Sequence, residues 1–187
     1  MPPNRILALP LLVLPALLLS GCAGTPAHQG DDPAEVARTS LTAVGDEAPL
    51  FTAPLLGGGT FDLAAHRGEV VLVNLFATWC PPCIAEMPRL QAEVRERFGD
   101  DGFAMVSVAR EEGADVVAPF VRKHGASWPF ALDTDRSVFA KYAEAFIPRS
   151  YVLDRAGCIV FQSQGYEEAE FARMVEVIAA ELARPVP

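Results

Sequence analysis

The clearest hydrophobic pattern in the body of the chain is Val70-Val71-Leu72-Val73-Asn74-Leu75-Phe76. An apolar run of this length, rich in β-branched residues, predicts a strand buried on both faces. The period then changes. Ile84, Met87, Leu90, Val94 and Phe98 recur at helical spacing, predicting a long helix over Cys80–Phe98 that Gly99-Asp100-Asp101-Gly102 ends. Pro88 falls inside this helix and predicts a kink, because proline removes an N–H and crowds the preceding turn. Phe103–Val108 reads as the next strand, Ala114–His124 as a helix stopped by Gly125, Phe130–Leu132 as a short strand and Arg136–Glu144 as a short helix. Ser150–Leu153 and Ile159–Gln162 flank Asp154-Arg155-Ala156-Gly157 as a hairpin. Glu167–Ala183 carries Phe171, Val175, Ile178 and Leu182 on one stripe, a terminal amphipathic helix. Upstream, Leu50–Leu55 and Thr60–Leu63 are short strands joined across Gly57-Gly58-Gly59. A βαβ unit, further helices and a closing antiparallel hairpin predict an α/β domain, with an extra hairpin at its N-terminal side.

The N-terminal pattern is of another kind. Arg5 precedes an apolar stretch, Ile6 to Leu19, broken by Pro10 and Pro15, which suits a removable signal peptide over residues 1–21 better than a membrane span. Leu19-Ser20-Gly21-Cys22 resembles a bacterial lipobox, so Cys22 is the expected lipidation site and membrane anchor. Residues 22–40, rich in Gly, Ala, Pro, Asp and Gln and without apolar periodicity, read as a flexible tether, leaving 41–187 as the domain. With 187 residues, half of them hydrophobic, one domain with a substantial core is expected. A net charge of −9 argues against nucleic acid as a partner.

The candidate chemistry lies at Trp79-Cys80-Pro81-Pro82-Cys83, where the central strand ends and the helix begins. A helix N-terminus stabilises an anion, so it favours the thiolate of Cys80 and makes it the expected nucleophile. Cys83, one turn inside, is the expected resolving thiol. A purely structural disulfide is a poor alternative, since so short a loop restrains little chain. A zinc site needs about four ligands. Outside the motif Cys158, His66 and His124 stand at unpatterned spacings, so no metal or cofactor is expected. Glu86 shares a helical face with Cys83 and Leu90, where partial desolvation raises a carboxyl pKa and suits it to proton exchange with Cys83. Trp79 is expected to shield Cys80 and offer a partner a flat apolar surface. Cys158 has no assigned role.

Gly45-Asp46-Glu47-Ala48-Pro49, Val73 through Cys83, Glu86-Met87-Pro88 and Phe146-Ile147-Pro148-Arg149-Ser150-Tyr151-Val152-Leu153-Asp154 together resemble the TlpA/ResA-like thiol–disulfide oxidoreductases, over about Leu41 to Leu182. The resemblance implies a thioredoxin-like fold with a central mixed sheet flanked by helices. It implies a cis Pro148 facing the cysteines, which frees the backbone of Ile147 to pair with an extended substrate. Trp79, Pro81, Pro82, Ile147 and Pro148 become the expected substrate contacts. It also implies a reductant in the bacterial envelope, acting on disulfide-bearing exported proteins such as apocytochrome c and supplied by an integral-membrane thiol donor. Three rivals share parts of the pattern. A thiol peroxidase would carry Thr where this chain has Ala77. A copper-binding assembly factor would space its cysteines by three residues and add a distant His. A protein-disulfide oxidase would use the same cysteines in the opposite direction.

Overall fold

The computed structural model describes residues 33–99 and 102–185. Helix α1 (Pro33–Thr39) leads into a small antiparallel hairpin, β1 (Thr52–Pro54) and β2 (Thr60–Asp62). Then come β3 (Val70–Phe76), α2 (Pro81–Arg89), a π-helical stretch Leu90–Arg95 and α3 (Glu96–Phe98). They are followed by β4 (Phe103–Arg110), α4 (Ala114–His124), β5 (Phe130–Asp133) and α5 (Phe139–Tyr142). The chain closes with β6 (Arg149–Leu153), β7 (Ile159–Gln164) and α6 (Glu168–Leu182). The main sheet has the order β5-β4-β3-β6-β7. Strand β3 is parallel to β4 and antiparallel to β6, so the sheet is mixed, with helices packed on it as expected.

Every residue of β3 is buried, which explains the unbroken apolar run. Its alternating side chains feed two cores. Val70, Leu72 and Phe76 pack with Leu90, Val94, Val117, Phe120, Phe171 and Ile178 from the long helices. Val71, Val73 and Leu75 pack on the other face with Phe51, Phe61, Phe139, Tyr142 and Tyr151. Each such side chain contributes on the order of 1.5–3 kcal/mol by leaving water. The N-terminal hairpin roofs that second face with Ala53 and Phe61. Asn74 is the one polar residue of β3, and it too is fully buried.

Several boundaries differ from the sequence expectation, each for a local reason. The long helix starts at Pro81, with Cys80 as its cap. After Pro88 the hydrogen-bond ladder slips. The Leu90 N–H reaches both the Glu86 and Met87 carbonyls, and the Glu96 N–H bonds the Gln91 carbonyl, five residues back. Pro88 cannot donate to the carbonyl four residues back and its ring crowds the preceding turn, so the regular ladder is disturbed at this point. The expected helix Arg136–Glu144 shortens to Phe139–Tyr142, because the buried Asp133 carboxylate accepts the Val138 and Phe139 N–H groups and fixes the helix start. Strand β1 begins at Thr52 rather than Leu50, whereas β4 runs on to Arg110. The tether assigned to 22–40 is helical over Pro33–Thr39. The expected leader, Cys22 and the first part of the expected tether lie outside the described residues.

Candidate active site

The C-terminal end of β3 turns through Ala77-Thr78-Trp79 into α2. Cys80 occupies the N-cap in an extended conformation, and its Sγ accepts the Cys83 N–H at 3.3 Å. Pro81 and Pro82 fill the first helical positions, where a missing N–H costs nothing. Cys80 and Cys83 are joined as a disulfide. The turn before them is held from outside. The Thr78 N–H donates to Glu112 Oε2 at 2.8 Å and the Thr78 hydroxyl to Oε1 at 2.6 Å, so one buried carboxylate from beyond the end of β4 grips both groups.

Facing the cysteines is the loop that enters β6. The Ile147–Pro148 peptide bond is cis, and the Ile147 carbonyl oxygen lies 3.7 Å from Cys80 Sγ. Trp79 stands beside this approach, 66% exposed, the most exposed large hydrophobic side chain among the described residues.

Behind the cysteines runs a buried polar chain. Asn74 Nδ2 donates to Glu86 Oε1 at 2.7 Å and lies 3.2 Å from Ser150 Oγ. Asn74 Oδ1 accepts from Ser107 Oγ at 3.0 Å, and that hydroxyl accepts from Trp128 Nε1 at 2.9 Å. Glu86 is only 3% exposed. Burial pushes its carboxyl up from 4.5 to about 8, with the Asn74 hydrogen bond pulling weakly the other way. A carboxyl group that titrates near neutrality can give or take a proton at working pH.

The site thus holds a disulfide at a helix start, with the Ile147 carbonyl that precedes cis Pro148 facing its first sulfur, and the chain around it is similar to known proteins in sequence and fold. The redoxin family profile matches residues 43–179. This chain belongs to the redoxin family. Within it, the chain is 30% identical over 167 residues to the thiol-disulfide oxidoreductase ResA of Bacillus thuringiensis strain Al Hakam, covering 89% of this chain and 92% of that one. A solved Bacteroides thetaiotaomicron protein, provisionally named a protein disulfide isomerase, superposes with a TM-score of 0.76 at 34% identity, over 78% of this chain and 94% of its own. A Chlorobium tepidum protein, provisionally assigned as the thiol:disulfide interchange protein DsbE, gives 0.70 at 26% identity, over 75% and 99%. The redoxin is therefore a thiol–disulfide oxidoreductase of the ResA/DsbE type, with Cys80 and Cys83 as its cysteine pair.

The expected site residues of this redoxin converge unevenly. Trp79, Cys80, Pro81, Pro82 and Cys83 form one lip, and Ile147 with Pro148 form the other. Glu86 sits below, more deeply buried than a shared helical face required. Cys80, although it caps the helix, is nearly as inaccessible as Cys83. It is 3% exposed against 0% for Cys83, because the disulfide and the Ile147 loop cover it. Cys158 is a free, half-buried thiol on the β6–β7 turn, where its N–H donates to Asp154 Oδ1. Three residues that support the site from behind lie outside the expected set: Asn74, Glu112 and Arg149. A polar residue within the apolar run 70–76 was visible at Asn74. Glu112 has no such marker, since its partner Thr78 lies 34 positions away.

Proposed function

We propose that this redoxin reduces disulfides in exported proteins from the outer face of a bacterial membrane. The observation that carries the reading is Cys80 Sγ at the start of α2, 3.7 Å from the Ile147 carbonyl beside the cis Pro148. In the reduced enzyme the Cys80 thiolate, stabilised by the helix N-terminus, attacks one sulfur of a substrate disulfide. The other substrate sulfur leaves as a thiolate and takes up a proton. An extended substrate pairs with the Ile147 backbone and rests against Trp79, Pro81, Pro82 and Pro148. Cys83 then gives its proton to the fraction of Glu86 that is ionised, small below about pH 8, and attacks Cys80 Sγ, expelling the second substrate sulfur, which is protonated in turn. Two electrons have passed to the substrate, and the Cys80–Cys83 disulfide is left.

The similarity to the thiol-disulfide oxidoreductase ResA supports the reaction class. The leader and the Leu19-Ser20-Gly21-Cys22 string support export and lipid anchoring at Cys22. An exported reductant needs electrons carried across a membrane, so an integral-membrane thiol donor is its natural supply. Cysteine pairs spaced as in the haem-attachment segment of apocytochrome c are suitable substrates.

The test is chemical. Limiting alkylation of the reduced protein should label Cys80 before Cys83, and the Cys80/Cys83 reduction potential should lie below about −200 mV, the poise of an oxidising compartment. First labelling of Cys83 would reverse the roles, and a strongly oxidising potential would make the protein an oxidase. Mass spectrometry of the mature N-terminus should find Cys22 acylated.

A further inference from the structure

The lip opposite the cysteines has little regular structure of its own. Between α5 and β6 the chain passes through Phe146, whose φ is +65°. A bulky residue adopts this backbone only where its surroundings over-determine it. Arg149, the residue after Pro148, provides much of that surrounding. Its Nε donates to the Ala145 and Phe146 carbonyls at 3.0 and 3.2 Å. Its other two nitrogens donate to Ser40 Oγ at 2.8 Å and Thr39 Oγ1 at 3.0 Å. The backbone reinforces this junction. The Glu144 N–H bonds the Thr39 carbonyl at 2.8 Å, and the Leu41 N–H bonds the Tyr142 carbonyl at 3.0 Å.

Arg149 is 2% exposed, and among the described residues no carboxylate pairs with it. A buried guanidinium costs free energy unless its donors are used. Here they are spent on two carbonyls of the loop and two hydroxyls at the end of α1. The rigid planar fork matches that task, which a lysine could not perform.

We propose that Arg149 is a positioning residue for peptide substrates. With Thr39 and Ser40 it fixes the 145–147 segment, so that the Ile147 backbone stands opposite Cys80 in the register an extended peptide requires. The consequence is selectivity. A disulfide within a peptide chain needs both lips, whereas a small non-peptide disulfide needs only an accessible Cys80 thiolate. The inference rests on the proposed pairing of substrate with Ile147.

The experiment compares the full-length protein with Arg149→Met and with the double variant Thr39→Ala/Ser40→Ala. Each is assayed on a short peptide with an internal disulfide and on a small aromatic disulfide. For Arg149→Met the peptide KM should rise about tenfold with kcat nearly unchanged, the pattern of lost binding rather than lost chemistry. Turnover of the small disulfide should change less than about twofold, and the double variant should shift the peptide KM about threefold the same way. A peptide KM within twofold of wild type in both variants, or an equal loss on both substrates, overturns the inference. If Arg149→Met does not fold, the double variant decides alone by the same criteria. Should wild type reduce neither disulfide, the proposed function fails first, which separates that failure from this one.

Discussion

The two lips of the site are built by different means. The Trp79–Cys83 lip is local: a strand end, a cap and a helix start, with Cys80 bonded to the N–H three residues on. The Ile147–Pro148 lip is long-range: its loop hangs on a guanidinium that reaches residues 109 and 110 positions away. The local lip carries chemistry that depends on dipole and sulfur placement, which a helix terminus supplies wherever it occurs. The long-range lip carries shape, which must be assembled from several chain segments. Reactivity and recognition therefore respond to different substitutions.

The largest expected break lies on the local lip. Cys80→Ser should abolish reduction of every disulfide substrate, while Cys83→Ser should accumulate a mixed disulfide through Cys80, both read by mass spectrometry of quenched reactions. Residual turnover in Cys80→Ser would show that the local lip does not carry the chemistry.

Glu86 comes next, and its effect depends on pH. The folded protein keeps the Glu86 proton until about pH 8, whereas the unfolded chain loses it near 4.5. Folding therefore takes up a proton between those values, and stability declines across that window as pH rises. The stability conferred by the neutral carboxyl is fully present below about pH 4.5 and gone above about pH 8. The whole span corresponds to an upper bound of roughly 4–5 kcal/mol at about 1.4 kcal/mol per pH unit. Glu86→Gln is neutral throughout, so it should lack this decline and become more stable than wild type at pH 8.5. Unfolding midpoints of the oxidised proteins at pH 5 and 8.5 check this; parallel profiles would refute it.

Glu112→Ala sharpens the comparison, because Glu112 is the long-range support of the otherwise local lip. It strips both Thr78 groups of their acceptor and should cost about 1–3 kcal/mol of stability, read by denaturant unfolding. Cys80 should still be alkylated before Cys83. A reversal of that order would mean the local lip depends on distant contacts as much as the other does.

The smallest effect on the fold belongs to Trp79→Ala. The side chain is 66% exposed, so stability should stay within about 0.5 kcal/mol of wild type. The peptide KM should nonetheless rise severalfold, and an unchanged KM would remove Trp79 from the substrate surface.

Periodicity and local chemistry determined much of this protein. The run 70–76 had to be a buried strand because no face of it could meet water. In the helix that the following apolar spacing predicts, Pro81 and Pro82 fit only the first turn, and Pro88 had to disturb the interior. Those facts place Cys80 and Cys83 at a helix N-terminus without any tertiary information. Tertiary structure alone decided the rest. It turned Glu86 from a helix residue into a nearly inaccessible carboxyl by laying Asn74 and the sheet over it. It recruited Glu112 to Thr78, and it took the last turn of an apparent tether as part of the loop opposite the cysteines, so that a domain boundary drawn at Leu41 cuts through the Arg149 contacts. The reason is physical. A helix end or a buried strand is fixed by interactions between near neighbours, which leave a periodic trace in the sequence. A hydrogen bond between residues a hundred positions apart leaves none, because its partners meet only after the sheet has formed.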